Sequence, residues 1–103
     1  RYGFLLPMDE SEARVALDLT GRSAFEFSGE FQRTHVGELT TEMVEHIVRS
    51  LAETMCSALQ IEVQGKNTHH MVEACFKSVG RTLRQAIRRE GSELPSTKGT
   101  LSG

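Results

Sequence analysis

Apolar and polar residues alternate along the first third of the chain. In EARVALDLTG every second residue is apolar, at Ala13, Val15, Leu17 and Leu19. This period of two predicts a half-buried strand that ends at Gly21. The run SAFEFSGEF continues the alternation through Phe25 and Phe27, so we expect the two runs to form a hairpin. Ahead of them, YGFLLP predicts an edge strand or a lead-in that stops at Pro7.

The apolar spacing changes to three and four residues after Thr40 and Thr41, either of which can cap a helix. This first helix has one apolar stripe, made of Val44, Ile47, Val48, Leu51 and Met55. The run ALQIEVQG alternates again and predicts a strand that stops at Gly65. A second helix is expected from about Thr68 to Arg89. Its predicted buried face consists of Val72, Cys75, Phe76, Val79, Leu83, Ala86 and Ile87.

The order of elements is therefore strands, helix, strand, helix. Single apolar faces on strands and helices favour two layers. The fold class predicted is α+β, with a small mixed sheet of about four strands and both helices on one face. We expect residues 1–90 to form a single half-domain. Residues 91–103, rich in Gly, Ser, Thr and Pro, predict a flexible tail.

Charge and composition exclude several classes of function. The 103 residues have a formal net charge of −2, so no overall positive field would attract nucleic acid or an anionic membrane. No apolar run approaches the roughly 20 residues that a membrane span needs. A cytoplasmic location is expected, with Cys56 and Cys75 as reduced, packed thiols. Because the first residue is Arg1, we expect a piece of a longer chain.

Candidate chemistry begins at GKNTHHMVEACFK, where two histidines open the second helix. At about 100° per residue, His70, Glu73 and Lys77 lie on the flank opposite the apolar stripe. His70 and Glu73, three positions apart, could close on one ion. His69 points in another direction, so the adjacent histidines could serve two metals more easily than one.

A further histidine, His46, lies opposite the apolar stripe of the first helix. Surface histidines are usually only solvated side chains, and His35, in a turn-like stretch, is expected to be one. Imidazole and carboxylate together suit Mn, Fe, Zn or Ni. Four candidates cannot fill two octahedral shells, so either one metal keeps open positions or other chains supply ligands.

Basic residues give a weaker indication of phosphate binding. Arg22 follows a strand end, and Lys77 shares its flank with Glu73. The tail motif PSTKG offers the Ser96 hydroxyl and the Lys98 ammonium group, which together with backbone N–H groups could surround a phosphate.

Five segments in this order resemble the second half of imidazoleglycerol-phosphate dehydratase, over nearly the whole chain. They are DLTGR, TEMVEHIVRSLA, GKNTHHMVEACFK, RTLRQAI and LPSTKG. The resemblance implies two similar halves, each a sheet with two helices on one face, as in some ribosomal proteins. It also implies conversion of imidazole glycerol phosphate to imidazole acetol phosphate in histidine biosynthesis.

The resemblance further implies a set of site residues. Two manganese ions (Mn2+) would be held at subunit contacts in a homo-oligomer of 24 subunits. The metal ligands in this chain would be His46, His69, His70 and Glu73. The phosphate of the substrate would be bound by Arg22, Lys77, Ser96 and Lys98.

One departure from the family pattern affects the expected activity. The family has two copies of the histidine motif, whereas this chain has one. We therefore expect the segment to have little or no dehydratase activity without the N-terminal half. The alternative is a non-catalytic domain for metal binding, phosphate binding or assembly. An RNA-binding domain is disfavoured by the acidic charge balance and the lack of exposed aromatic residues.

Overall fold

The computed structural model describes residues 1–88 and shows a mixed four-stranded sheet with two helices. The sheet order is β1-β2-β6-β3. Its strands are β1 (Tyr2–Met8), β2 (Ser11–Asp18), β3 (Ala24–Ser28) and β6 (Ala58–Gln64), and the helices are α1 (Glu42–Thr54) and α2 (Thr68–Ile87). Two strands of two residues each, β4 (His35–Val36) and β5 (Leu39–Thr40), pair antiparallel before α1. The predicted α+β class is confirmed.

The core lies between the sheet and the helices. Apolar residues alternate along each strand, and the strand register places them on the same face of the sheet. Neighbouring inward residues pair as Ala13 with Val63, Val15 with Ile61, and Leu17 with Leu59, and all six are buried. α2 packs against β1, β2 and β6, while α1 packs against β3 and β6. The sheet therefore buries one face and leaves the other to residues such as Arg14 and Glu62, which are exposed.

The predicted hairpin between the second and third strands is wrong. β6 lies between β2 and β3, pairing antiparallel with the first and parallel with the second. Alternation predicts which face of a strand is buried but not which strand is its neighbour. The first run is an edge strand, as expected, and within residues 1–88 it pairs with β2 alone, but it continues past Pro7 to Met8 instead of stopping there. Pro7 lies inside it opposite Glu12, a position an edge strand tolerates.

The first helix buries a narrower stripe than predicted. Val44, Val48 and Ala52 are the buried residues of α1. Ile47 is 41% exposed, because the four-residue spacing of the buried set turns it to the side of the helix. Met55 follows the last helical residue as its C-cap and packs against the core.

The second helix ends at Ile87 rather than Arg89, since Arg88 is already extended. Val72, Cys75 and Val79 are buried as predicted, but Ile87 is 76% exposed at the helix end. Met71 and four small or polar residues complete the buried face: Thr68, Ala74, Ser78 and Thr82. Hydrogen bonds satisfy two of their hydroxyls, because Ser78 donates to Phe4 O and Thr82 to Ser78 O, both at 2.9 Å.

The two thiols differ in environment. Cys75 is buried and Cys56 is exposed, and both are free. The expectation of two packed thiols is therefore wrong for Cys56, which follows the end of α1 with a positive φ of 50°. Within the described residues no helix is both long and apolar enough to cross a membrane. The predicted tail, residues 91–103, lies outside the described residues.

Candidate metal centre

The start of α2 is fixed by the residue that precedes it. Asn67 is the N-cap, in an extended conformation, and its side chain accepts a hydrogen bond from the His70 N–H at 3.1 Å. Such a cap satisfies one of the N–H groups that a helix start leaves without a partner. The helix therefore begins at Thr68 and places His69 and His70 in its first turn.

His69, Glu73 and Lys77 form a row along the exposed side of α2. His69 Nε2 lies 3.3 Å from Glu73 Oε1, and Lys77 Nζ lies 2.9 Å from Glu73 Oε2. The Lys77 ammonium group lowers the pKa of Glu73 by hydrogen bonding and charge, and His69 adds a smaller effect. The histidine beside Glu73 is therefore His69, four positions away, and not His70 as the three-residue spacing suggested.

His70 instead contacts the turn between β1 and β2. Its Nδ1 lies 3.1 Å from Glu10 Oε1, and its Nε2 lies 3.7 Å from Asp9 Oδ2. The His70 side chain is only 29% exposed. Glu10 also accepts hydrogen bonds from Ser11 Oγ and, at 3.0 Å, from the Asn67 N–H. The Ser11 bond, followed by the His70 bond, lowers the pKa of Glu10 to about 2.

The two imidazole rings therefore point to different partners. Their planes are perpendicular and their centroids are 6.3 Å apart. His69 lies with Glu73, whereas His70 lies with Glu10. This arrangement is compatible with the hypothesis that adjacent histidines serve two metals.

Two of the predicted site residues lie apart from this group. His46 is exposed on α1, and among residues 1–88 no hydrogen bond or ion pair connects it to the α2 histidines. Arg22 is exposed in the bend after β2, where its N–H donates to Thr20 Oγ1 at 2.9 Å. Ser96 and Lys98 lie outside the described residues. In the described part of the chain, no three His, Cys, Asp or Glu side chains converge to hold a metal ion.

A cavity of about 420 Å3 adjoins His69. Arg33, His35 and Lys66 also line it, so its wall carries two cationic side chains and a second imidazole. Although expected to be an ordinary solvated side chain, His35 borders the same cavity as His69. A second open cavity, of about 470 Å3, borders Glu10 on the other side of Lys66.

Sequence reasoning missed Glu10 and the lining of the first cavity. Glu10 is 60 positions from His70 in the chain, so neither helical nor strand spacing could relate them. A weak signal existed, since the acidic pair Asp9–Glu10 lies in a turn between two strands. That turn meets α2 only because β1 and β2 pack beneath the helix.

Comparison with known proteins decides the family. A family model described as imidazoleglycerol-phosphate dehydratase matches residues 1–83. The chain belongs to this family. Two solved members of the dehydratase family have the same fold, each with a TM-score of 0.77. The Staphylococcus aureus enzyme is 36% identical and the match covers 80% of this chain and 48% of that one. The Pyrococcus furiosus enzyme is 28% identical, with 97% and 56% covered.

Curated relatives extend the match over almost the whole chain. The histidine biosynthesis bifunctional protein HisB of Xanthomonas axonopodis pv. citri is 55% identical over 101 residues, or 98% of this chain. HisB of Legionella pneumophila is 52% identical over the same length. The chain spans only 27% and 29% of the length of these two relatives. Most of each relative therefore has no counterpart in these 103 residues.

Proposed function

We propose that this chain is a segment of a manganese-dependent dehydratase that converts imidazole glycerol phosphate to imidazole acetol phosphate in histidine biosynthesis. Membership of the dehydratase family supports the reaction. The observation that carries the site is the pair of imidazoles in the first turn of α2, with the Glu73 carboxylate 3.3 Å from one of them.

The donor set fits a divalent cation such as Mn2+. Carboxylate oxygen suits Mn2+, and imidazole nitrogen suits the neighbouring first-row metals Fe, Ni and Zn. The carboxyl pKa of Glu73 is lowered, so this group is ionised at neutral pH, as a ligand must be. The side chains of His69, at 66% exposed, and Glu73, at 38%, are open to an incoming ion.

Each residue has a distinct part in the proposed reaction. His69, His70, Glu73 and His46 would bind metal, which when bound supplies Lewis acidity toward the imidazole ring of the substrate. Arg22 and Lys77 would bind the phosphate, together with Ser96 and Lys98 of the tail. Binding of the remote phosphate would orient the reacting carbons, and the binding energy would offset the entropic cost of that orientation. Lys77 would also keep Glu73 ionised through its 2.9 Å contact.

Further ligands must come from outside residues 1–88, because no three candidate ligands converge within them. We propose that other polypeptide segments complete two manganese sites at subunit contacts, in a homo-oligomer of the 24-subunit kind implied by the family resemblance. The same surface without turnover would make a metal-binding or assembly domain.

Metal titration of the His70→Asn variant tests the proposal. The protein is washed with chelator, Mn2+ is returned, and bound metal is measured by elemental analysis. We expect His70→Asn to lose most of the bound Mn2+ while its circular dichroism stays unchanged. The matched control is His35→Asn, an exposed histidine outside the proposed ligand set, which should retain metal. Equal uptake by both variants would contradict the ligand assignment.

A further inference from the structure

We infer that Glu10 is the positioning residue for His70, which it holds in the tautomer that carries its proton on Nδ1. Nε2 is then left as the nitrogen available to a metal ion. The metal-binding part of this inference rests on the proposed function. The tautomer itself does not, since the contact exists in the protein alone.

Two hydrogen bonds hold the Glu10 carboxylate besides its contact with His70. Oε2 accepts the backbone N–H of Asn67 at 3.0 Å, and the Ser11 hydroxyl donates to the same oxygen. These two bonds connect the carboxylate to the first residue of β2 and to the loop before α2. Oε1 is left facing His70 Nδ1 at 3.1 Å. The position of this acceptor is thus fixed by two bonds that do not involve the imidazole.

A fixed carboxylate at Nδ1 selects one form of the neutral ring. An ionised carboxylate only accepts hydrogen bonds, and neutral imidazole has one N–H. The bond therefore requires the proton on Nδ1 and leaves the Nε2 lone pair free. Asp9 Oδ2 is 3.7 Å from Nε2, too far for a hydrogen bond. The Asp9 side chain is also 77% exposed, so it competes weakly for the proton.

The backbone supports the same orientation. Asn67 is both the N-cap that accepts the His70 N–H and the residue whose own N–H donates to Glu10. Asn67 therefore contacts the His70 backbone directly and the His70 ring through Glu10. Carboxylate partners of this kind orient metal-binding histidines and raise their basicity, and their loss typically lowers metal affinity about 10–100-fold.

The test compares Glu10→Ala, Glu10→Gln and the matched control Glu12→Ala in the full polypeptide. The 15N spectrum of histidine-labelled, metal-free protein at neutral pH reports the tautomer, and His70→Asn assigns the signal. We expect the Nδ1–H form in the wild type and in Glu10→Gln, whose carbonyl oxygen can still accept. Glu10→Ala should show a mixture of tautomers. Glu12→Ala should resemble the wild type.

Manganese binding is measured on the same proteins by calorimetric titration. We expect Glu10→Ala to weaken Mn2+ binding about 10–100-fold, with Glu10→Gln closer to the wild type. Ser11→Ala removes the hydroxyl that donates to Glu10 Oε2 but leaves the Oε1 contact with His70. This variant should therefore keep the Nδ1–H tautomer.

The outcomes separate this inference from the proposed function. A pure Nδ1–H signal in Glu10→Ala, or the Nε2–H form in the wild type, would overturn the positioning role. Unchanged Mn2+ binding in Glu10→Ala beside weakened binding in His70→Asn would overturn it too. Failure of the wild type to bind Mn2+ would instead refute the proposed function, and the spectrum would still decide the role of Glu10.

Discussion

A single glycine allows the β1–β2 turn to lie against the loop before α2. Gly65 directly follows β6 with a φ of 155°, and a Cβ atom there would overlap the Ser11 hydroxyl and lie 2.9 Å from Ser11 Cα. Any side chain would therefore push away the turn that carries Glu10. The sequence indicated only that a strand stops at this residue. The close approach became visible once β2 and β6 were paired.

Replacing Gly65 with alanine should destabilise the fold by about 3 kcal/mol, from backbone strain and overpacking together. The matched control is Gly80→Ala in α2, where an added Cβ meets nothing within 4 Å. The control should stabilise the helix by about 0.5–1 kcal/mol. Urea denaturation of the two variants measures both changes, and equal effects would contradict the proposed close contact.

The two thiols should react at very different rates. Burial raises the pKa of Cys75 to about 12, so at pH 8 almost none of it is the reactive thiolate. Cys56 is exposed. We expect iodoacetamide to label Cys56 rapidly and Cys75 only after unfolding. Peptide mass spectrometry with and without denaturant measures this, and rapid labelling of Cys75 in the folded protein would contradict its burial.

Among the elements, local patterns predicted helices and strands better than they predicted neighbours. Alternation at Val15 and Ile61 correctly predicted two strands with one buried face each. The partner of β3 was missed because pairing with β6 depends on a connection of about thirty residues, not on local sequence. The buried face of α2 was only partly predicted, since Ser78 and Thr82 contribute to it through hydrogen bonds to carbonyl groups.

The side-chain cap of α2 should contribute measurably to stability. Asn67→Ala should destabilise the protein by about 1 kcal/mol, because it removes the acceptor for the His70 N–H. Asn67→Asp, which keeps an acceptor oxygen, serves as the control and should remain near the wild type. Thermal unfolding measures both, and a neutral Asn67→Ala would show that the side-chain cap contributes little.

Thr41, at the start of α1, makes no side-chain cap bond. Its hydroxyl donates instead to Arg33 O at 2.9 Å. The threonine cap suggested by the sequence is therefore correct in position and different in mechanism, because Thr41 fastens the preceding loop to the helix.

At the scale of the whole molecule, the resemblance named the candidate residues, and the structure gave their contacts. His69, Glu73 and Lys77 lie in one row, while His46 lies on the other helix. No pattern in a single chain could bring His46 to a shared ion if the remaining ligands belong to other segments. Glu10 was missed for a related reason, since it is 60 positions from His70 and reaches it only through the packing of distant parts of the chain.

We expect the 103-residue chain alone to show little or no dehydratase activity. It contains one histidine motif and spans 27–29% of the HisB relatives. Turnover of imidazole glycerol phosphate by the purified chain measures this, and co-expression with a family N-terminal half is the control expected to raise activity. Turnover by the chain on its own would contradict the need for further ligands.

The central position of β6 has a consequence for synthesis on the ribosome. β1 and β2 can pair as soon as they emerge, because their turn is short. β3 must wait, since its sheet neighbour within residues 1–88 is β6, more than thirty residues later. Pairings so distant in sequence form slowly. The nascent chain therefore carries Phe25 and Phe27 without their partners Leu59 and Ile61 until β6 has emerged. Apolar segments exposed in this way are what chaperones bind.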